Sequence, residues 1–565
     1  MITGIILRAK RPDAPNFPER SIRNAHAHQN DFSFITSETY AFAHKSTHAL
    51  NNHTGVIEGM GYITFLCGEP CLSRNGAAVD HRCLTEDIKN GSWESLKKVR
   101  GTFVLVFYDL NNNAAYLISD KLGVRPLYHW IREDIFAFST RFKCLMAMPF
   151  ISKERCEHAL SETVVFGYPL GTRTCAKDVA VLGAGEILKI TPGSKTSERY
   201  WKWDEISEKA LTVEKATQTA TEIFSDSLRI RMDSDTRAGA FLSGGMDSRT
   251  IVAQLSAHGV KTVLYNFSPT NSQDLAFASL FAQQLDVPLI SSPRDEPLHR
   301  GFRLHLAELT SSLLDGNPHT LDRPRALWSG DGGSVGLGCV HLDHPMVDAM
   351  RAGKEDEALS LFCKKNYFSL PLKFFRRSKQ KEYSRFVTDT IKTEMSTYNC
   401  NDPANKLFLF LMLNDQRRHL YDFYEEIDSH GLEYQLPFYD SSFLEFIFSL
   451  PLDTRLNHKF YHEWFKTLSP TVTAVPWQTY PGHVPCPIQD GKNLEYQWAK
   501  GKKKPVRERL FAAREGFEIS FSSSYIGPMS RSQLVAVSTI HSLGIKNLSH
   551  VLEAAKLYSR PLTAH

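Results

Sequence analysis

A short stretch near the middle of the chain has the composition of an anion-binding turn. It reads Leu242-Ser243-Gly244-Gly245-Met246-Asp247-Ser248, and it follows a predicted strand and precedes a helix that we expect to start near Arg249. Glycines let backbone amides approach an anion closely, serine hydroxyls add donors, and the following helix directs its positive end at the same place. The sequence therefore predicts a phosphate site at this turn.

One acidic residue in this turn predicts a metal ion as well. Asp247 would repel a bare phosphate unless a divalent cation lies between them, and magnesium with a polyphosphate meets that requirement. The turn lacks the lysine that follows the glycines in the P-loop of GTPases. A glycine-rich turn without a ligand is the alternative, and the complete seven-residue string between a strand and a helix argues against it.

Length and composition indicate a folded protein with more than one domain. The chain has 565 residues, too many for a single hydrophobic core. Its 66 Lys and Arg nearly balance 62 Asp and Glu, which excludes a nucleic-acid-binding polycation, and 42% hydrophobic residues exclude a disordered chain. The apolar runs are shorter than the roughly 18 residues of a transmembrane helix, and the first 20 residues carry no secretory pattern. We expect a cytoplasmic protein without a membrane or nucleic-acid partner.

The hydrophobic pattern changes near residue 201. Before it, short runs rich in Val, Ile, Phe and Tyr predict mainly strands, at 55–67, 101–109, 114–119, 135–138 and 185–190. After it, helical spacing alternates with short strands, which predicts a parallel sheet, with helices over 213–229 and 272–285 and strands over 237–242 and 262–267. The polar stretch 202–208 is the predicted linker, so we expect one domain over 1–201 and another over 209–565.

Motifs on both sides of the turn resemble one protein family. The turn itself resembles the pyrophosphate loop of ATP-pyrophosphatases, which cut ATP to AMP and pyrophosphate while adenylating an acceptor. The first half closely resembles the glutaminase domain of the asparagine synthetase family at Gly101-Thr102-Phe103-Val104, Ser119-Asp120-Lys121-Leu122-Gly123-Val124-Arg125-Pro126-Leu127-Tyr128 and Phe136-Ala137-Phe138-Ser139-Thr140. Later stretches continue the likeness, at Trp328-Ser329-Gly330-Asp331-Gly332-Gly333 and Gly431-Leu432-Glu433-Tyr434-Gln435-Leu436-Pro437-Phe438-Tyr439-Asp440. The resemblance extends over about residues 55 to 455.

The resemblance implies both a fold and a reaction. The implied fold is α/β, with an N-terminal Ntn-type αββα sandwich followed by a parallel-sheet α/β ATP-pyrophosphatase domain and a helical C-terminal extension. The implied reaction uses ATP and Mg²⁺: a substrate carboxylate attacks the α-phosphorus, pyrophosphate leaves, and ammonia or an amine opens the acyl-adenylate. The implied partners are a small-molecule or peptide carboxylate and the nitrogen nucleophile, and we allow for a homodimer.

The same resemblance assigns roles to individual residues. Asp247 would hold the metal and act in catalysis together with Glu433, which we favour as the base for the amine over Glu425, Glu426 and Asp428. Asp274 matches an acidic family position that faces ribose or metal, and a charge at a helix N-terminus is its alternative role. The residues that would bind ATP or pyrophosphate are Leu242, Ser243, Gly244, Gly245, Met246, Asp247, Ser248, Asn266, Ser329 and Gly330.

The first departure from the family concerns glutamine. Glutamine-using members begin with a cysteine whose own amine activates its thiol, whereas this sequence begins Met1-Ile2-Thr3. The Asn-Gly-Glu that grips glutamine in the family is Cys67-Gly68-Glu69 here. We therefore expect an inactive glutaminase domain kept as a scaffold, with processing that exposes Thr3 as the alternative.

Two further departures lie in the second half. Where the family usually has Asp-Glu after Ser-Gly-Asp-Gly-Gly, this chain has Ser334-Val335, so we expect Asp331 to substitute as a metal ligand. A pseudoenzyme is the opposing explanation, and the intact loop around Asp247 argues against it. The family's lysine beyond the Pro-Phe-x-Asp segment is absent from 475–485, where His483 is the nearest cationic candidate and a surface turn is the alternative.

These features favour an AMP-forming amide ligase that couples a carboxylate to ammonia or an amine, in secondary-metabolite, modified-peptide or surface-polymer biosynthesis. Three other functions stay open at this point. They are an intramolecular cyclase of the lasso-peptide or β-lactam synthetase type, a glutamine-hydrolysing asparagine synthetase, and a non-catalytic nucleotide-binding pseudoenzyme.

Overall fold

The computed structural model of the chain describes two compact units. The described residues are 1–8, 16–25, 32–50, 55–74, 77–79, 81–132, 134–292, 302–316, 321–366, 371–427, 430–488, 494–496, 506–522, 525 and 527–559. The first unit comprises 1–148, 182–343 and 416–498, and the second comprises 149–181, 344–415 and 499–565.

The described residues contain nineteen strands and twenty-two α-helices. The strands are β1 (Ile2–Leu7), β2 (Ser33–Thr36), β3 (Tyr40–His44), β4 (Gly55–Gly59), β5 (Tyr62–Gly68), β6 (Leu72–Arg74), β7 (Ala77–Val79), β8 (Phe103–Asp109), β9 (Ala114–Ser119), β10 (Tyr128–Arg132), β11 (Ile135–Ser139), β12 (Val179–Val181), β13 (Glu186–Ile190), β14 (Lys195–Arg199), β15 (Arg237–Phe241), β16 (Lys261–Asn266), β17 (Leu289–Ser291), β18 (Ala326–Trp328) and β19 (Glu433–Gln435). The helices are α1 (Phe17–Ala25), α2 (His81–Lys89), α3 (Glu94–Lys98), α4 (Phe142–Met146), α5 (Glu157–Phe166), α6 (Val213–Met232), α7 (Met246–Ala257), α8 (Gln273–Leu285), α9 (Phe302–Gly316), α10 (Gly333–Gly338), α11 (His344–Arg351), α12 (Glu355–Asn366), α13 (Arg377–Ser396), α14 (Ala404–Phe410), α15 (Arg417–Ile427), α16 (Ser441–Phe448), α17 (Leu452–Arg455), α18 (Lys459–Leu468), α19 (Pro470–Thr473), α20 (Val506–Phe521), α21 (Arg531–Ser542) and α22 (Ser549–Ser559).

Two antiparallel sheets form the N-terminal part of the first unit. One sheet includes the strand order β10-β11-β1-β3-β2, and the other has the order β14-β13-β9-β8-β5-β4. Apolar side chains from their facing sides, such as Phe42 and Phe65, form one buried core. A second core, which includes Leu84 of α2 and Leu96 of α3, covers the outer face of the second sheet, while α1 and α4 pack against the first. This layering confirms the predicted αββα sandwich.

The apolar run predicted over 55–67 is a hairpin of two strands, β4 and β5. Val56 pairs with Phe65 across the hairpin, and the chain reverses at Met60-Gly61. Gly61 has a φ of 82°, a left-handed value that favours glycine and that a tight reversal of this kind uses. The composition of the run is typical of strands throughout and therefore does not reveal the turn.

A five-stranded parallel sheet follows, as predicted, with the order β17-β16-β15-β18-β19. The central strand β15 pairs in parallel with β16 on one side and β18 on the other. In sheets of this class, ligands bind beyond the carboxyl ends of the strands, where the strand order reverses. The end of β15 is such a point, and the Leu242–Ser248 turn begins there.

Helix α7 begins earlier than the sequence indicates. The expected start near Arg249 is wrong, because Gly245 has extended backbone angles of φ −87° and ψ 177° and the helix begins at the next residue, Met246. Asp247 and Ser248 therefore lie in the first helical turn, where backbone N–H groups have no helical acceptor.

Side chains of the expected types cap two other helices of the first unit, α6 and α8. The Thr212 hydroxyl accepts from the N–H of Lys215 at the start of α6, and the Ser272 hydroxyl accepts from Leu275 at the start of α8. The polar stretch predicted as a linker contains a short 3₁₀ turn, in which buried Trp203 donates from Nε1 to the carbonyl of Lys121 at 2.7 Å.

The second unit is helical, in line with the predicted helical C-terminal extension. Helices α20, α21 and α22 pack on one another, and a reciprocal capping box between Ser530 and Gln533 starts α21. In the same unit the buried carboxylate of Glu162 accepts two hydrogen bonds from the Arg173 side chain at Nε, each at 3.0 Å. None of the helices in the described part of the chain is both long and apolar enough to cross a bilayer.

Candidate active site

The predicted phosphate turn lies at the carboxyl end of β15, and hydrogen bonds between its two serines connect the beginning and the end of the turn. Ser243 N–H donates to the hydroxyl of Ser248 at 2.9 Å, and the two hydroxyls lie 3.0 Å apart. The N–H of Gly245 donates to the Ser243 hydroxyl at 3.3 Å. These contacts hold the turn closed at the start of α7, whose first N–H groups have no helical acceptor and can bind an anion.

Two residues from other elements fix the backbone of the turn. The carboxylate of Asp274, in the first turn of α8, accepts the N–H of Gly244 at 3.1 Å and the side-chain amide of Gln478 at 3.3 Å. The backbone N–H of Gln478 donates in turn to the carbonyl of Gly244 at 2.9 Å. A Cβ at Gly244 would lie 2.9 Å from the backbone of Asp274, so this close approach needs glycine. The carboxylate of Asp274 therefore positions the turn by binding the backbone of Gly244.

Asp247 sits at the centre of a hydrogen-bond network. Its carboxylate accepts the backbone N–H and the hydroxyl of Ser334, each at 2.9 Å, and the hydroxyl of Tyr461. Burial raises the pKa of Asp247 to about 6, against the opposing effect of these donors, and the charge of Asp331 adds to the rise. Three hydrogen bonds leave a carboxylate with about one free lone-pair site. Asp247 can therefore offer one oxygen to a metal ion.

The loop before α10 lies directly against the start of α7. A Cβ at Gly330 would come within 2.6 Å of the carbonyl carbon of Asp247, and a Cβ at Gly333 within 2.7 Å of its carboxyl carbon. Ser329 continues this loop from β18, with its N–H donating to the carbonyl of Gln435 at 3.0 Å. The glycines of the 330–333 segment thus permit the contact between the two loops.

Asn266 ties together the ends of the two central strands. Its side-chain amide donates to the carbonyl of Leu242 at 2.7 Å, and its side-chain oxygen accepts the N–H of Ser268 at 2.9 Å. The N–H of Leu242 donates to the carbonyl of Tyr265 at 2.9 Å. The structure thus brings predicted residues Leu242 and Asn266 together at the edge of the site.

An open cavity with about 540 Å³ of empty volume adjoins the turn. Ser243, Gly245, Met246 and Asp247 line it together with Ser334, His458, Gln478, Thr479, Tyr480, His483 and Val484. Hydroxyls, amides and the beginning of α7 face this space, and that donor set fits a phosphate group. A single carboxylate suits magnesium, which binds one or two carboxylates and completes its shell with phosphate oxygens and water.

The second predicted metal ligand, Asp331, is not among the residues that line this cavity. One of its carboxylate oxygens lies 3.8 Å from Nε2 of His419, and the other accepts from the hydroxyl of Ser329 at 3.4 Å. Among the residues that the structure describes, no group of three or more His, Cys, Asp or Glu is arranged to hold a metal ion. Metal binding would therefore depend on oxygens of the ligand.

Glu433, the predicted base, lies outside this cavity. It is buried on β19 and forms an ion pair with Arg125 of the Asp120–Arg125 motif. Of the other acids considered, Glu425 accepts the Tyr128 hydroxyl at 2.7 Å, Asp428 lies outside the described residues, and so does the side chain of Glu426. Glu433 lines two small cavities, one with Glu69 and Arg231 and the other with Cys67 and Gly68.

The residues that replace the glutamine-binding motif are engaged with the protein itself. Cys67 is buried, and the carboxylate of Glu69 accepts the side-chain amide of Gln435 at 2.9 Å. Thr3 is buried within β1, which is paired with β11 and β3, and its hydroxyl lies 2.8 Å from that of Ser139.

Several site residues were not predicted from the sequence. His458 and Tyr461 approach from the 456–468 region, and buried Arg249 donates to the carbonyls of Val472, Val475 and Pro476 at 2.8–2.9 Å. Arg249 thereby fixes the segment that leads to Gln478. His483, which was predicted, does line the cavity. Motif spacing contains no signal for the others, although an arginine within the apolar face of α7 does indicate an internal partner.

Two family models match separate parts of the chain, a glutamine amidotransferase domain over 79–201 and an asparagine synthase domain over 219–298. The chain is similar to asparagine synthetase [glutamine-hydrolyzing] 2 of Bacillus subtilis, with 26% identity over 203 residues, 33% of this chain and 27% of the relative. Asparagine synthetase [glutamine-hydrolyzing] 1 of the same organism is 28% identical over 204 residues, 35% of this chain and 32% of the relative. Amidase chyE of Penicillium rubens is 25% identical over 173 residues, 29% of this chain and 25% of the relative. The chain thus covers about a third or less of the length of these relatives.

Proposed function

The chain belongs to the asparagine synthetase family, and we propose that it is an ATP-dependent amide ligase that releases AMP and pyrophosphate. A substrate carboxylate attacks the α-phosphorus of ATP, and the bond from that phosphorus to pyrophosphate breaks. Adenylation is needed because the oxygen of a carboxylate is a poor leaving group. Ammonia or an amine then opens the acyl-adenylate, and AMP leaves. We place this reaction in secondary-metabolite, modified-peptide or surface-polymer biosynthesis.

The observation that carries this proposal is the convergence of donors beside one carboxylate at the end of β15. Ser243, Gly245 and the first turn of α7 border the same cavity as Asp247. Donors that are already oriented toward developing negative charge stabilise a departing anion without reorganising. The loop from Ser243 to Ser248 would bind the pyrophosphate, and Leu242, Asn266, Ser329 and Gly330 would border the rest of the nucleotide.

Magnesium, when bound, offsets negative charge on the phosphates and on the departing pyrophosphate. Asp247 would hold it through the oxygen site that its three hydrogen bonds leave open. Asp331 is the candidate for a second ligand, since its charge already influences the carboxyl of Asp247. Glu433 is the candidate base for the attacking amine, in a chain whose glutaminase-like domain spans 1–201 and whose adenylating domain spans 209–565.

We further propose that glutamine does not supply the nitrogen. The position of the glutamine-gripping asparagine holds buried Cys67, which has no amide to offer, and Glu69 is committed to Gln435. Cys67 and Gly68 line a small cavity together with buried Glu433. Free ammonia or an amine should therefore support product formation, and glutamine should not.

The test is to incubate the purified full chain with magnesium, ATP and a panel of carboxylic acids and to measure pyrophosphate. The proposal expects acid-dependent release of AMP and pyrophosphate in equal amounts, and loss of both in Asp247→Asn. Acid-dependent ADP would contradict it, as would full activity of that variant. Glutamate produced from glutamine would overturn the separate proposal on the nitrogen source.

A further inference from the structure

The cavity beside the turn contains few groups that can carry positive charge. Its described lining residues include Asp247, hydroxyls, an amide and two histidines, and no lysine or arginine is among them. A polyphosphate brought into a partly enclosed site needs opposite charge or donors to offset its lost hydration. His458 and His483 are the lining side chains that can supply a cation.

These two histidines are in direct contact. Nδ1 of His458 lies 2.7 Å from Nδ1 of His483, so one of the two nitrogens must carry the proton that joins them. The ring centroids are 4.7 Å apart with an interplanar angle of 69°. The contact fixes the orientation of the His483 ring with respect to the cavity.

His458 is the fixed member of the pair. It is buried, and its ring stacks against those of Tyr461 and Tyr480 at centroid distances of 5.7 and 5.4 Å. Its backbone has a φ of 64°, a left-handed value that is rare for histidine and that persists only where surrounding structure enforces it. A Cβ at Gly338 would lie 2.6 Å from Cε1 of His458, so glycine at that position leaves the room for the ring.

His458 is also the member that stays neutral. Burial and the neighbouring His483 and His462 lower its pKa to about 3. The other titratable groups near the pair are the phenols of Tyr461 and Tyr480, which bond to Asp247 and Ser334, and the carboxyl of Asp247. A neutral His458 accepts through Nδ1, so Nδ1 of His483 carries the shared proton. His483 is only partly buried, and it is the member of the pair that is placed to take up a second proton.

We propose that His483 is the cationic donor to the phosphates held at the Ser243–Gly245 turn, and that His458 positions it. This inference rests on the proposed function, because it assigns the charge that the departing pyrophosphate needs to a residue of the same cavity. His483 donates its Nδ1 proton to His458, and the cationic ring faces the leaving group. The imidazole pair thereby supplies the positive charge that a lysine could provide, and no lysine is among the described residues that line the cavity.

The test measures binding of magnesium pyrophosphate to the full chain by calorimetry, independent of turnover. His483→Ala should weaken binding about 10- to 100-fold, the range for loss of a charged donor, and His483→Lys should restore it to within a few-fold of wild type. His458→Asn, which keeps an acceptor oxygen near the Nδ1 position and tolerates the left-handed backbone, should fall between them. His258→Asn, at an exposed position after α7, is the matched control and should bind normally.

Dependence on pH separates this role from a structural one. As pH rises from about 6 to 8, binding by the wild type should weaken relative to His483→Lys, because imidazolium loses its proton in this range and lysine does not. Parallel profiles for the two proteins, normal binding by His483→Ala, or no binding by the wild type would each overturn the inference. Absence of acid-dependent pyrophosphate release, with the histidine effects on binding intact, would instead contradict only the proposed function.

Discussion

The carboxylate of Asp247 accepts two hydrogen bonds from Ser334, one from the backbone N–H and one from the hydroxyl, each at 2.9 Å. Ser334 lies at a position where the family resemblance implies an acid, and it meets Asp247 from the start of α10. A second carboxylate at that point would add repulsion in a site where burial already disfavours charge on Asp247. Serine supplies donors at the same place, so the site retains one ionised group that phosphate and magnesium can share.

Replacing Asp247 by Asn should abolish pyrophosphate release and stabilise the metal-free protein. The raised pKa of Asp247, about 6, means that the folded protein holds this proton more tightly than the unfolded chain. The bound proton on Asp247 therefore adds to the free energy of unfolding at low pH, and this gain is lost as pH rises through about 6. We expect Asp247→Asn to be about 1–2 kcal/mol more stable than wild type at pH 7.5, a value reduced because the side chain borders an open cavity.

Urea unfolding in EDTA at pH 7.5 and pH 5 would measure this difference, which should shrink at the lower pH. Asp286→Asn, at an exposed left-handed C-cap of α8, is the control and should change stability by less than about 0.5 kcal/mol. If Asp247→Asn is less stable than wild type at pH 7.5, the hydrogen bonds to the carboxylate stabilise the fold by more than the burial of its charge destabilises it.

Asp274 offers a test of how the phosphate turn is held. Asp274→Ala removes the acceptor for the N–H of Gly244 and for the Gln478 side chain, and we expect ATP to bind about 5- to 10-fold more weakly, the equivalent of one hydrogen bond. Asp274→Asn keeps an acceptor oxygen and should bind nearly as wild type. Equal loss in both variants would favour the other role, a direct contact with ribose or metal. Gln284→Ala, exposed on the same helix, is the control for binding by equilibrium dialysis.

The features that could be predicted from the sequence depend on local chemistry. Gly244, Gly245 and the adjacent serines specify an anion-binding turn in any strand-to-helix connection, and the turn lies where that pattern places it. The strands of the first half and the parallel sheet of the second follow from hydrophobic periodicity, which is also local. The αββα sandwich is implied by the family resemblance and does not follow from periodicity. The start of α7 could not be predicted in this way, because it depends on the extended backbone of Gly245, a residue that tolerates almost any conformation.

The partners of the site residues depend on tertiary structure and could not be predicted. Ser334 meets Asp247 across 87 residues, and His458 meets His483 across 25. No sequence motif identifies either pair as partners, because serine and histidine also occur in many surface loops. Only the fold shows that Gly338 leaves room for an imidazole and that Asp274 faces the backbone of the turn.

Arg249 should contribute to stability through the carbonyls that it satisfies. Its guanidinium donates to Val472, Val475 and Pro476 from a fully buried position, and burial lowers its pKa to about 10. Arg249→Met keeps much of the volume and leaves these carbonyls without their donor, so we expect a loss of about 3 kcal/mol in unfolding free energy. Arg229→Met, at an exposed position on α6, should change it by less than about 0.5 kcal/mol in the same urea titration. Similar small losses for both would mean that water replaces the missing donor.

Glu433 can be tested by separating the two chemical steps. If its carboxylate takes the proton of the attacking amine, Glu433→Gln should form the acyl-adenylate and release pyrophosphate in a single turnover while amide formation falls at least about 100-fold, within the range for a general base. Rapid-quench measurement of pyrophosphate and amide in one reaction would show this split. Glu425→Gln, on the neighbouring helix and bonded to Tyr128, should leave both steps within a few-fold of wild type.

The ion pair of Glu433 with Arg125 requires one further variant. Arg125→Met also breaks the pair but leaves the carboxylate in place, so it should destabilise the fold, by about 3 kcal/mol or more, without the same selective loss of the second step. If Arg125→Met and Glu433→Gln instead slow both steps equally, the pair serves to hold β19 against the Asp120–Arg125 segment. The base for the amine would then have to be sought among the residues of the cavity beside Asp247.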